Sequence, residues 1–331
     1  MGNLGVVYNN IFAPDYAVTG IRQDIDDGAP TATVVITGSY RPSSGGQPQG
    51  LLYRGPLYGT DSSGYIFLEP RFPGQTVTSS IFYGPNTSLF DPNIGAGNLR
   101  AVGSYKYSKS GPADHGMMYE GSPDGSGKWT QINVPETVAG AKVANTIPHS
   151  TMGDLVVGDY DLAGQAGSGN AFIYNIRTGA YEVLDIGDLA TAYGIWQNNG
   201  AASVSYTVVG GYSTDGAVNV GFMLDYDAKS GAISHLTPFS GDNQYGLITH
   251  FEGITAFDSG YSLAATTDAG AAFAIIERNP DGSFGEPTWV AIANPRSKGI
   301  STGNSVYANN LIGIYNPQSG GIQSYMATVS P

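Results

Sequence analysis

Cysteine is absent from the 331 residues, which excludes disulfides, thiol nucleophiles and every thiolate metal site. Charge is sparse as well: Asp, Glu, Lys and Arg make up 12% of the chain, well under the usual quarter. Basic residues are the scarcer kind. Against 27 Asp and Glu stand 14 Lys and Arg, a net charge of −13, and no basic cluster occurs. Nucleic-acid binding needs a positive patch to neutralise phosphates, so nucleic acid is not expected as a partner. The acidic balance also repels anionic lipid, and no apolar run is long enough to span a bilayer, so no membrane partner is expected either. The opening "MGNLGVVYNN" lacks the basic and apolar regions of a secretory leader and places Val6 where a myristoylation signal wants Ser or Thr. The expected location is extracellular or periplasmic if a leader was removed, and otherwise cytoplasmic. Helix-period segments, a phosphate loop, a dinucleotide fingerprint and a Gly-x-Ser-x-Gly elbow are all lacking.

What the chain does have is glycine, 48 residues of it, spread at turn-like positions between short apolar and aromatic runs. That pattern fits many short strands joined by tight turns. One element recurs: two apolar residues, a glycine, any residue, then an aromatic. It reads "VITGSY" to Tyr40, "AVGSY" to Tyr105, "VVGDY" to Tyr160, "VVGGY" to Tyr212, a degenerate "LAATT" to Thr267 and "LIGIY" to Tyr315. The central small residues, Gly38, Gly103, Gly158, Gly210, Ala265 and Gly313, recur every 48 to 65 residues, near the period of a four-stranded propeller blade. A strand with a small residue before Ile or Val precedes each copy, as in "TGIRQD" and "YGIWQN". An apolar strand follows each copy, and most copies add a further one. The sixth unit stops after its third strand, whereas "LGVVYNNIF" at the start has no unit of its own. Pairing the two closes the ring and hides two sheet edges.

The fold expected is therefore all-β: a six-bladed β-propeller of four-stranded blades, with an N-terminal strand at 4–12 completing the last blade. The expectation is one domain over 1–331, its blades near 15–73, 77–135, 142–187, 190–239, 248–294 and 299–330, in a monomer. On this layout His115 in "DHGMMYEG" starts a third strand. Its counterparts Gln49, Asn170, Val220, Ala271 and Ile322 share no chemistry, so the stretch reads as a structural module.

"YGIWQNN" (193–199), "VVGDY" (156–160), "HGMMY" (115–119) and "NAFIY" (170–174) resemble the HAF repeat, a bacterial propeller repeat. The resemblance spans roughly 15–331 and implies a propeller of extracytoplasmic bacterial origin, with no particular activity. "GSPDGSGKW" (121–129) and "NPDGSFGEPTW" (279–289) look like sialidase-type Asp boxes with inserted residues, a structural turn motif. Sialidase chemistry itself is rejected, because it needs an arginine triad to grasp a carboxylate and only Arg22 falls on an inner strand.

In a propeller the first strands line the channel and the loops at one mouth build the site. Thr19, Ser79, Asn145, Tyr193, Glu252 and Asn304 precede the small residue of each first strand and read as a polar ring. In "THFEG" (249–253), His250 and Glu252 stand two apart and share a strand face. Such a pair holds an imidazole in one tautomer and raises its basicity, which suits general acid–base work. His250, Glu252 and Tyr193 are thus the catalytic candidates. Asn145, Asn304 and Arg22 are candidates for polar ligand contacts, and His149, Trp196 and Tyr307 for a stacking wall. The four histidines cannot converge on one metal, because His115 and His235 belong to outer strands. "QDIDDG" (23–28) places Asp24, Asp26 and Gly28 at calcium-loop spacing without the closing Glu, leaving a structural calcium or sodium as the one cofactor to consider.

The copies have diverged in loop length and channel-facing residues, which favours one asymmetric pocket at a channel mouth. The expected ligand is a small molecule or carbohydrate, with lyase, hydrolase or isomerase chemistry by the His–Glu pair. The alternative is a non-catalytic interaction platform or a lectin-like binder.

Overall fold

The computed structural model describes residues 4–9, 12–25, 32–42, 45–59, 62–165, 169–213, 219–240, 249–299 and 301–330. Six four-stranded antiparallel sheets follow one another along the chain and make a six-bladed β-propeller. Two compact units share them, Thr19–Ala192 and Met1–Val18 with Tyr193–Pro331.

The unit Thr19–Ala192 carries three blades. Blade 1 takes Tyr16–Ile25, Thr33–Tyr40, Gln49–Pro56 and Tyr65–Phe67; its first strand begins just outside the unit. Blade 2 takes Val77–Thr87, Leu99–Tyr107, His115–Gly121 and Lys128–Gln131. Blade 3 takes Val143–Met152, Leu155–Leu162, Asn170–Asn175 and Tyr181–Val183. The other unit carries blade 4 (Asp188–Gln197, Ser205–Ser213, Asn219–Asp227, Ala232–Phe239), whose first strand begins just outside it, and blade 5 (Thr249–Phe257, Gly260–Thr267, Gly270–Glu277, Thr288–Ile292). Blade 6 has Ser305–Tyr307, Asn310–Tyr315 and Gln323–Ser330, and its fourth strand is Gly5–Asn9, paired from Gly5↔Ser330 to Asn9↔Met326. The N-terminal strand closes the last blade.

The recurring glycine has a steric cause. In blades 2, 3 and 5 the first strand bulges by one residue opposite it: Phe82 pairs with Gly103, Pro148 with Gly158 and Phe251 with Ala265, and the next pairing skips a residue. A Cβ at Gly103 would lie 2.0 Å from the Ile81 carbonyl oxygen, and one at Gly158 would lie 2.2 Å from that of Ile147. Blade 5 carries Ala265 at this place.

The small residue of the first strand serves the next blade. A Cβ at Gly20 would lie 2.2 Å from the Tyr83 carbonyl oxygen, one at Gly84 2.5 Å from that of His149, and one at Gly253 2.7 Å from the Ser305 Cα. First strands approach closely only where a side chain is missing.

Apolar layers fill the space between neighbouring sheets. Val35, Leu52, Phe82, Met117 and Tyr119 pack between blades 1 and 2, with Trp129 against them. Val209, Met223, Phe251, Leu263 and Ile276 do the same between blades 4 and 5, with Trp196 and Trp289. Both Asp-box-like turns behave as structural motifs. Asp124 and Asp281 accept the backbone N–H two residues on, at 2.9 and 3.0 Å, while Trp129 stacks on Phe82 and Trp289 on Phe251.

Three arginines join neighbouring blades. Arg54 of blade 1 pairs with Asp24 at 2.6 Å and donates to the Gly97 carbonyl of blade 2 at 2.9 Å. Arg100 of blade 2 pairs with Asp91 and Glu120 and donates to Gly153 of blade 3 at 2.6 Å. Arg278 of blade 5 grips Asp225 of blade 4 with both terminal nitrogens, at 2.5 and 2.7 Å. The Arg54 pair also claims Asp24 of the candidate cation loop; Asp26 and Gly28 lie outside the described residues.

Candidate functional site

The bulge decides which side chains stand in line. Its extra residue is Tyr83 in blade 2, His149 in blade 3 and Glu252 in blade 5, each followed by the small residue Gly84, Ser150 or Gly253. Glu252 is therefore equivalent to Tyr83 and His149, and Ser79 and Asn145 lie four residues earlier on their strands. The sequence alignment of first strands slips in these two blades because "SSI" and "NTI" also present a small residue before Ile. A bulge re-aims a side chain out of the strand's alternation, which is how it serves functional sites.

In blade 5 three of the candidates meet. His250 Nε2 lies 2.8 Å from Glu252 Oε1, and the Tyr193 ring of blade 4 stacks on the imidazole with centroids 5.2 Å apart and planes 29° from parallel. Burial opposes a charged imidazole, but the Glu252 carboxylate outweighs it through its charge and hydrogen bond, so the His250 pKa is raised. The second nitrogen, Nδ1, is buried and has no hydrogen-bond partner among the described residues.

His149 has similar company in the other unit. Its Nε2 lies 2.9 Å from Asp159 Oδ1, and the Tyr83 ring tilts against it at 5.0 Å. Burial pushes the Tyr83 hydroxyl up to about 12, so it stays protonated at neutral pH.

The amides serve neighbouring strands. Asn304 Nδ2 donates to the Val18 carbonyl at 2.6 Å, and Asn145 accepts from the Asp114 N–H at 3.0 Å while donating to Asp161 at 2.9 Å. Arg22 is buried, its Nε 3.5 Å from the Pro85 carbonyl oxygen, and desolvation draws its pKa down to about 10. Tyr307 is half-buried, paired in register with Asn310. Trp196 stands three residues beyond Tyr193 on the same strand and belongs to a different cavity. His115 packs against Tyr105 and Tyr107, and burial lowers its pKa, as suits a neutral structural imidazole.

Sequence reasoning missed a cavity of about 530 Å³ between blades 4 and 5, lined by Trp196, Asn198, Asp225, Phe257, Asp258, Tyr261 and Arg278 among others. Its floor is the Arg278–Asp225 pair, to which His235, Thr207 and Tyr261 add bonds of 2.8 to 2.9 Å. The available signal was an arginine beside the Asp-box-like turn in a chain poor in arginine. Among the described residues no group of three His, Asp or Glu is placed to hold a metal, and no helix is long and apolar enough to cross a membrane.

No family model matches the chain, and no curated protein does. Solved structures match in fold. A protein of unknown function from Dyadobacter fermentans is 7% identical, with both chains covered in full and a TM-score of 0.58. The PQQ-bound aldose sugar dehydrogenase of Streptomyces coelicolor is 9% identical, with 100% of this chain and 99% of that one covered, at 0.51. At such identities the likeness defines the class of fold, a six-bladed propeller, and leaves activity to be argued from the site.

Proposed function

We propose that the chain binds a small, sugar-like ligand at one asymmetric pocket around the start of the blade 5 first strand, and acts on it by acid–base chemistry. The observation that carries this reading is the His250–Glu252 contact of 2.8 Å under the Tyr193 ring. Glu252 accepts the Nε2–H and fixes the protonation pattern of the ring. Its charge keeps His250 protonated to higher pH than an ordinary imidazole, which suits a proton donor to a leaving or carbonyl oxygen. Tyr193 holds the ring plane. The Streptomyces coelicolor propeller, by its name, handles an aldose, and a sugar-like ligand here is compatible with that shared fold. The repeats we read as HAF-like, in a protein that works outside the cytoplasm.

A thermal-shift screen of neutral sugars, polyols and organic acids identifies the ligand, and turnover of each hit is then followed. Glu252→Gln should lower turnover about 100-fold or more and, with burial left to act alone, bring the His250 titration, followed by NMR, below that of an ordinary imidazole. Unaltered turnover would remove the pair from the chemistry.

A further inference from the structure

The cavity between blades 4 and 5 lies away from the His250 cluster. Phe257 ends the strand on which His250 stands second; seven residues at roughly 3.3 Å each put at most about 23 Å between them, and on the neighbouring strand Trp196 stands about 10 Å beyond Tyr193. No acid–base work at His250 uses this end. We infer that the cavity is a second binding site, for a neutral sugar of one or two rings.

Its volume of about 530 Å³ falls within the range of roughly 300–1,000 Å³ common for small-ligand pockets. The floor is rigid and already satisfied. Asp225 accepts from Arg278 through both oxygens, and Thr207, Tyr261 and Asn198 close the network with bonds of 2.8 to 3.0 Å. Arg278 also donates to the Gly282 carbonyl at 2.6 Å, and its guanidinium lies over the Phe284 ring at 4.4 Å. The one cation of the lining is thus neutralised, and Asp258 adds a further negative charge. An anionic ligand is repelled.

Selectivity then falls to the rim, where aromatic and polar groups alternate. Trp196 is half-buried and anchored on the blade 4–5 apolar layer. Phe257 is 40% exposed at the end of a hairpin, next to the exposed Asp258 and Ser259 at its tip. A pyranose offers what such a rim recognises: an apolar C–H face for an aromatic ring, and hydroxyls that donate to a carboxylate.

The test is a titration of the whole protein with D-glucose, D-galactose, D-mannose, L-arabinose, maltose and cellobiose, followed by saturation-transfer NMR and calorimetry, with D-glucuronate as the charged control. At least one neutral sugar should bind and glucuronate should bind more weakly. Trp196→Ala and Asp258→Ala should each weaken that binding about tenfold or more. Asp258 sits at an exposed hairpin tip, so its variant keeps the test valid if loss of Trp196 perturbs folding. Failure of every neutral sugar to bind up to roughly 50 mM overturns the inference. Binding that neither variant weakens overturns it too, and leaves the His250 reading standing, since that sugar sits elsewhere.

Discussion

His149 and His250 stand on first strands in different units, each with a carboxylate at 2.8 to 2.9 Å and a tyrosine from the preceding blade against its ring. The geometry of the bulge separates them. In blade 3 the histidine is itself the bulged residue and its acid, Asp159, comes from the second strand. In blade 5 the bulged residue is the acid, and the histidine sits two positions before it on the same strand. The blade 5 arrangement leaves a buried Nδ1 without a partner among the described residues, under a raised pKa. One repeat position therefore holds either the base or its partner, and the choice sets what the pair can do.

The largest effects should come from the arginines that hold the two histidine blades to their neighbours. Arg100→Ala leaves the buried Asp91 carboxylate without its cation, held by Asn93 alone, and should cost about 3–5 kcal/mol in urea unfolding. Arg278→Ala, at a partly exposed pair, should cost less. A reversed order would mean that the blade 4–5 seam is the tighter one. Next in size, Glu252→Gln should lower turnover about 100-fold or more, while Asp159→Asn leaves it nearly unchanged. Equal losses would erase the distinction between the two histidines.

Smaller still is the effect of the residue across each bulge. Gly158→Ala brings a methyl to 2.2 Å from a backbone oxygen and should cost about 1–3 kcal/mol, whereas Ala265→Gly should cost only about 0.5–1. Thermal melts of both variants would show whether the Glu252 bulge is the more relaxed one. The smallest effect is pH-dependent. Because the folded His250 pKa is raised, its pairing with Glu252 stabilises the protein fully below about pH 6.5. That contribution fades as pH climbs through the folded value. The melting-temperature gap between wild type and Glu252→Gln should accordingly be wide near pH 6 and narrow on the alkaline side.

The six repeats, their strand order and the closing N-terminal strand were legible in the sequence, because the Val-Val-Gly element and the incomplete last unit are local patterns. Two-residue spacing singled out His250 and Glu252, and the matching position on the neighbouring first strand singled out Tyr193; that Glu252 reaches His250 as a bulged residue was not legible. The bulges were not legible. An inserted residue leaves no compositional mark, so Tyr83 was passed over and Ser79 and Asn145 were aligned four residues early. The Arg278–Asp225 floor was hidden more deeply, since it joins residues 53 apart in sequence through sheet packing alone.

One sheet joins Gly5 to Ser330, far apart in the sequence. Translation at about 5–20 residues per second leaves Gly5–Asn9 waiting on the order of half a minute for Gln323–Ser330 to leave the ribosome. Until then a nascent chain exposes an apolar strand with no mate, the interval in which a chaperone or a second nascent chain would compete for it.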